Sequence, residues 1–229
     1  MPQSPRDKQL WAYEQVLRIT RDMAATTDLD ELLGVILSRS MELLEAERAT
    51  LFLYEAETDE FVSRIAHGAD EIRVPAGVGI AGAAAAGGHV LNIPDAYADE
   101  RFNREVDRAT GFRTRNILAV PLADHSGQLV GVLEVLNKQQ GAFGPGDVTL
   151  AETLGAQAGV ALQRARLLEH YVKKQQMEQA LAIARQIQRD QLPREDPCVE
   201  GFDLAGGSWP ADETGGAADD PDYKLGRGA

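Results

Sequence analysis

Residues 77 to 82 read Gly-Val-Gly-Ile-Ala-Gly, the G-x-G-x-x-G spacing with which a turn can bring its backbone N–H groups against a dinucleotide pyrophosphate. That chemistry needs a buried parallel strand just before the turn. Residues 71 to 76, Glu-Ile-Arg-Val-Pro-Ala, do not supply one, and the strands downstream pair as hairpins, which a doubly wound sheet does not use. The glycines are better explained by a tight turn and the close packing of a small Ala-rich helix, which Gly87 and Gly88 stop. No set of His, Cys and carboxylate residues has metal-ligand spacing, so neither a metal site nor a catalytic set is assigned. Cys198 is the only cysteine, which excludes an internal disulfide and fits a reducing cytosol.

The elements that must position any site come next. A chain of 229 residues with 44% hydrophobic content can bury a real core. Its net charge of −13 argues against nucleic acid or an anionic membrane as a partner. No run of about eighteen apolar residues occurs, and the first fifteen residues carry no apolar signal segment, so the expected location is the cytoplasm.

Residues 8–46 read as two helices. Leu10, Tyr13, Val16, Leu17 and Ile19 mark the first, and Leu32, Leu33, Ile36, Leu37, Met41 and Leu44 mark the second. Thr27 or Asp28 is the expected N-cap, with Asp30 and Glu31 in the first turn. The period then shortens. Residues 48–56 and 60–68 predict a hairpin, 89–94 a short third strand, and 116–124 and 128–138 a second hairpin. Hairpin pairing makes the sheet antiparallel. Residues 95–112, between strands three and four, are polar and long for a connection, which suits either a functional lid or an ordinary surface helix and loop.

From Asp147 to Leu192 the pattern is helical. Leu150, Leu154, Ala158, Ala161, Ala165, Leu168 and Val172 form a heptad seam, broken at residues 173–176 and resumed at Met177, Leu181, Ala184 and Ile187. So many helical residues exceed what one small sheet covers, so a parallel dimeric coiled coil is the expected burial for the seam. The class is α+β: an antiparallel sheet with helices on one face and a lid on the other, followed by a long coiled-coil helix.

In order, the blocks G-x-G-I-A-G, G-x-V-L-N-I-P-D, R-F, T-G-F-R-T-R-N-I-L-A-V-P-L, G-x-L-x-G-V-L-E-V-L-N-K and F-x-x-x-D make residues 29–165 resemble a GAF domain, a small-molecule sensing module with a GAF/PAS-like fold. The resemblance implies four parts. Residues 1–27 form an N-terminal helix, 28–165 the GAF domain, 166–192 a coiled-coil linker, and 193–229 a further, truncated segment. Asn137, Lys138, Phe143 and Asp147 match a motif that in the family braces the strand end against the following helix, with Val148 in place of its final acid. By the same resemblance a ligand pocket lies between sheet and lid, with Ile93, Asp95, Phe102, Thr110, Gly111, Thr114, Arg115 and Asn116 at ligand positions and Pro94 beside them.

Three of these have a physical rationale. Arg115 can neutralise an anionic group, Asn116 can read a base edge, and Phe102 can cover a ring. Each position also has a structural alternative: Asp95 as the cap of the lid helix, for example, and Arg115 paired with a lid acid such as Glu105 or Asp107. Covalent bilin attachment is excluded, because residues 1–197 contain no cysteine. His67, His89 and His125 are the haem-ligand candidates and read better as surface residues. No cofactor is assigned; a cyclic nucleotide or another small molecule is the candidate ligand.

Residues 184–216 resemble the start of the stage-II-sporulation-E-like branch of bacterial PPM-type serine phosphatases. The match rests on Gln186, Gln188, Leu192, Pro193, Gly201, Pro210, Ala211, Gly215 and Gly216. That family's next metal-binding Asp is replaced by Ala217, and Asp219, Asp220 and Asp222 stand at other spacings. This segment carries nine acids and three bases from Pro193 onward and is expected to be disordered and catalytically inactive. The implied role is a homodimeric sensor, paired through its N- and C-terminal helices, that controls a phosphatase output. The rival readings are a ligand-free dimerisation platform and, for a longer gene product, the phosphatase itself.

Overall fold

The computed structural model describes residues 5–63 and 72–191. In chain order it has α1 (Pro5–Ala25), α2 (Leu29–Leu43), β1 (Ala46–Glu55), β2 (Glu60–Ser63), β3 (Ile72–Pro75), α3 (Gly79–Gly87), β4 (Leu91–Ile93), a 3₁₀ turn (Ala96–Ala98), α4 (Arg104–Thr110), β5 (Ile117–Ala123), β6 (Leu129–Lys138) and α5 (Pro145–Gln191). The second half of the predicted strand 60–68, His67 and residues 193–229 lie outside the described residues.

Local chemistry sets the boundaries. Asp28 caps α2, its Oδ1 accepting the Glu31 N–H at 2.9 Å, with Asp30 and Glu31 placed where the helix dipole favours acids. Gly88, at φ +62, ends α3 in the left-handed conformation. The strands form one antiparallel sheet in the order β3-β2-β1-β6-β5-β4. β3 is an addition to the sequence reading, which took residues 71–76, with Pro75, only as no buried parallel strand. The sheet accommodates it because β3 is an edge, and an edge strand can lose an N–H without losing a ladder bond.

Alternation along the strands sends side chains to two different cores. On one face Leu51, Leu53, Leu118, Val120, Leu133 and Val135 join buried residues of α1, α2 and α5. On the other, Phe52, Phe61, Ile117, Ala119 and Val132 pack with Ile80, Ala81 and Ala84 of α3 and Ala96 of the 3₁₀ turn.

The helical seam behaves differently from its expectation. Leu154, Ala158, Ala161 and Ala165 are buried in the first core, so their own sheet covers them without a second chain. The reason is close approach. A Cβ on Gly155 would stand 2.6 Å from Val120 Cγ1, and one on Gly159 would stand 2.1 Å from Ala123 O, so α5 lies almost against β5. Among the residues of α5 whose burial is described, the last buried one is Ala165. Beyond it Leu167, Leu168, Tyr171, Val172, Met177, Ile183 and Ile187 are exposed. The chain divides into two units, one ending at Glu169 and one beginning at His170. Among the described residues no helix is long and apolar enough to cross a membrane.

Candidate ligand-binding cavity

Register on the sheet decides which side chains meet on the second face. Arg48 pairs with Leu136, Thr50 with Glu134 and Phe52 with Val132, so alternate residues of β1 and β6 share one surface. Ile117 of β5 lies opposite Leu136 and extends it. Above this floor is a cavity of about 410 Å³. Its walls are Val74 of β3 and Val78, Gly79, Ile80 and Ala81 at the start of α3. Its roof is Arg101, Phe102, Asn103, Val106, Asp107, Thr110, Phe112 and Thr114.

Glu134 is the distinctive polar group on the floor. It sits on a central strand between Leu133 and Val135, which point into the helix-side core. Glu134 is partly accessible, and it lines the cavity. Burial pushes its carboxyl up to about 7, and the N–H of Ala81 that it accepts works in the opposite direction. That N–H belongs to the first turn of α3, where helical geometry leaves amides without intrahelical partners. Val78, the N-cap residue, contributes no side-chain hydrogen bond. The carboxyl thus takes up one of α3's spare donors from across the cavity.

Arg48 also lines the cavity, with its guanidinium 3.9 Å from the centre of the Phe112 ring. Glu47 lines the cavity as well. It accepts bonds from Arg115 at 2.9 and 3.3 Å and from Asn137 at 2.8 Å, and these donors hold its carboxyl below the usual range.

The roof is organised by Asp107. Its carboxylate accepts the Thr114 N–H and hydroxyl, both at 2.7 Å, and the Tyr97 hydroxyl at 3.0 Å. Asp107 and Thr114 are buried. Tyr97 packs at a tilt against Phe102 at 5.4 Å, and the Arg104 and Arg113 guanidinium groups are each 5.3 Å from the centre of its ring. Asn103 caps α4 by accepting the Glu105 N–H at 3.0 Å.

Of the residues that the sequence placed at ligand positions, Phe102, Thr110 and Thr114 line the cavity, while Ile93, Asp95, Gly111, Arg115 and Asn116 do not. Ile93 is buried in the second core. Asp95 caps the 3₁₀ turn, accepting the Tyr97 N–H at 3.0 Å. Gly111 ends α4 at φ +69. Arg115 pairs with Glu47 on β1 instead of with a lid acid. Asn116 is spent on the backbone, donating to Gly141 O and accepting the Lys138 N–H.

Asn137, Lys138, Phe143 and Asp147 form one joint. Lys138 donates to Asp147 at 3.0 Å and to Leu44 O at 3.1 Å, and Phe143 is buried. Asn137, in the left-handed region at φ +60, holds Glu47 and the backbone of Arg113 and Arg115. Sequence reasoning missed Glu134, Arg48, Thr50 and the Ile80–Ala81 wall. The available signal was an acid at an inward position of an otherwise apolar strand.

A GAF domain family model matches residues 28–162. The Drosophila melanogaster dual 3',5'-cyclic-AMP and -GMP phosphodiesterase 11 is 34% identical over 206 residues, which is 80% of this chain and 14% of that protein. The cGMP-specific 3',5'-cyclic phosphodiesterase of the same organism is 33% identical over 199 residues, 78% of this chain and 18% of that protein. This chain therefore spans less than a fifth of the length of either of these two relatives. Among solved structures, the GAF domain of a phosphoenolpyruvate-protein phosphotransferase from Coxiella burnetii matches with a TM-score of 0.63 at 20% identity, over 69% of this chain and 96% of that one. Free methionine-R-sulfoxide reductase from Neisseria meningitidis matches with a TM-score of 0.58 at 22% identity, over 72% and 96%. These two likenesses are likenesses of fold.

Proposed function

The chain belongs to the GAF domain family, and from that premise we propose that it is a sensor module whose cavity binds an organic small molecule carrying both hydrogen-bond donors and an anionic group. One observation carries the reading: a largely apolar cavity of about 410 Å³ into which an acceptor, Glu134, and the start of α3, whose N-cap residue makes no side-chain bond, converge. Glu134 suits a donor edge on the ligand. The first-turn amides of α3 suit an anion. Phe52, Phe102 and Phe112 supply apolar cover for a flat ring. Cyclic nucleotides combine these features, and the curated relatives are cyclic-nucleotide phosphodiesterases, so cyclic GMP and cyclic AMP are the first ligands to try.

The module acts as a cytoplasmic homodimer. The exposed apolar residues from Leu167 to Val172 on α5, with Trp11 and Leu17 on α1, support pairing of the helices. The output is a serine phosphatase of the bacterial PPM type, a reading supported by the resemblance of residues 184–216. The chain itself is not an enzyme, and manganese-dependent hydrolysis of a phosphoserine peptide by the purified chain would overturn that part.

Thermal unfolding against a panel of nucleotides and metabolites tests the cavity. A ligand present at one hundred times its dissociation constant adds about 2.7 kcal/mol, a rise of several degrees in Tm. A dose-dependent rise with one compound, abolished in Glu134→Gln, is the expected result. A flat panel moves the function to a ligand-free dimerisation platform.

A further inference from the structure

A series of contacts runs from the wall of the cavity to α5. Gly82 lets α3 lie directly on the preceding turn, since a Cβ there would stand 2.6 Å from Ala76 O and 2.7 Å from the carbonyl carbon of Gly77. The Ala76 N–H donates to Asp59 O at 3.0 Å. Asp59 holds the β1–β2 turn at φ +54, and its carboxylate accepts the Tyr54 hydroxyl at 2.9 Å. The Tyr54 ring packs on Phe61, which is fully buried in the cavity-side core, at 5.7 Å. The carbonyl of Tyr54 accepts a bond from Arg166 of α5 at 3.1 Å.

Two residues earlier on α5, Arg164 donates to the carbonyls of Met23, Ala24 and Thr26 at 3.2, 2.8 and 2.8 Å. Residues two apart on a helix point about 200° away from each other. One arginine therefore holds α5 to the end of α1 and the other holds it to the sensor's hairpin. Both grips lie on either side of Ala165, where burial of the helix stops.

Resting on the cavity as the sensing site, we infer that Arg166 is the positioning residue through which movement of α3 reaches α5, with Arg164 as the fixed point about which the helix pivots. A ligand that draws α3 toward the floor shifts Ala76, and with it Asp59 and Tyr54. Arg166 then follows the Tyr54 carbonyl while Arg164 stays on the α1 carbonyls. A small displacement at the wall becomes a change in the direction in which α5 leaves the sheet.

Amide hydrogen exchange on the full chain tests this without any ligand, comparing wild type, Arg166→Met, Tyr54→Phe, the double variant and Arg164→Met. Arg166→Met is expected to speed exchange at Ala76 and across α3 about fivefold, the scale of one hydrogen bond. Residues 91–98, which join the same face by another route, should not change. Tyr54→Phe should speed the same amides, and the double variant should add little to the larger single effect, because the two act in series. Changes confined to α5, an additive double variant, or an equal response of α3 to Arg164→Met would overturn the inference. Should Arg166→Met fail to fold, Tyr54→Phe decides alone: faster exchange at Ala76 and around Arg166 supports the series, and no change at either sinks it. A flat ligand panel, by contrast, removes the sensing role without bearing on these exchange rates.

Discussion

Glu134 is a carboxyl that the fold keeps on the boundary between charged and neutral. Its carboxyl is raised to about 7 by burial, so the folded chain holds this proton more tightly than the unfolded chain does. The resulting stabilisation is complete at pH values below the unfolded value of 4.5 and is lost as the pH rises through about 7. The chain should therefore lose up to about 3 kcal/mol of stability from this group between pH 4.5 and pH 8. Glu134→Gln should flatten that part of the profile, measured by urea unfolding across the range. A ligand that donates a hydrogen bond to the ionised carboxylate would bind better above pH 7 than below it, and titration of any hit from the ligand panel at pH 6 and pH 8 checks this. Asp99 behaves in the opposite sense. The Arg101 guanidinium pairs with it at 2.7 Å and holds it near 2, so its contribution is present above 3.8 and is lost only as the pH falls through about 2.

At the scale of elements, α5 and its two buried glycines set the thickness of the helix-side layer. Gly159→Ala would drive a methyl group into Ala123 O, which is backbone and cannot swing aside. The helix must then lift from β5, at a cost of about 2–3 kcal/mol. Gly146→Ala, in the first turn of the same helix with open space around it, should be neutral or stabilising by up to about 1 kcal/mol. Thermal denaturation of the pair separates packing from helix propensity, since propensity favours alanine at both positions. Equal behaviour of the two variants would mean that the helix does not sit as close to the sheet as the structure has it.

For the whole molecule the open question is how the exposed apolar residues of α5 are used. Sedimentation of the full chain at micromolar concentration should give a dimer, and replacing Leu167, Leu168 and Val172 with glutamate should give a folded monomer, because none of the three is needed in the core. A wild-type monomer would remove the dimeric output from the proposal. The sequence by itself determined what depends on near neighbours: the Asp28 cap, the glycine stop of α3, the strand hairpins and the long helix all follow from the order of types along a few residues. The order of motif blocks also sufficed to identify the GAF fold. Tertiary structure decided what depends on distant partners. Arg115 turned to Glu47 and Asn116 to Gly141; Asn137, at φ +60, bonds both the Arg115 N–H and the Glu47 carboxylate and so holds that pair together. It also covered the first half of the α5 seam with the chain's own sheet, admitted β3 at an edge despite Pro75, and placed Glu134 inside a cavity. Charge state, helix burial and pocket membership are properties of surroundings assembled from remote segments, and no local pattern encodes them.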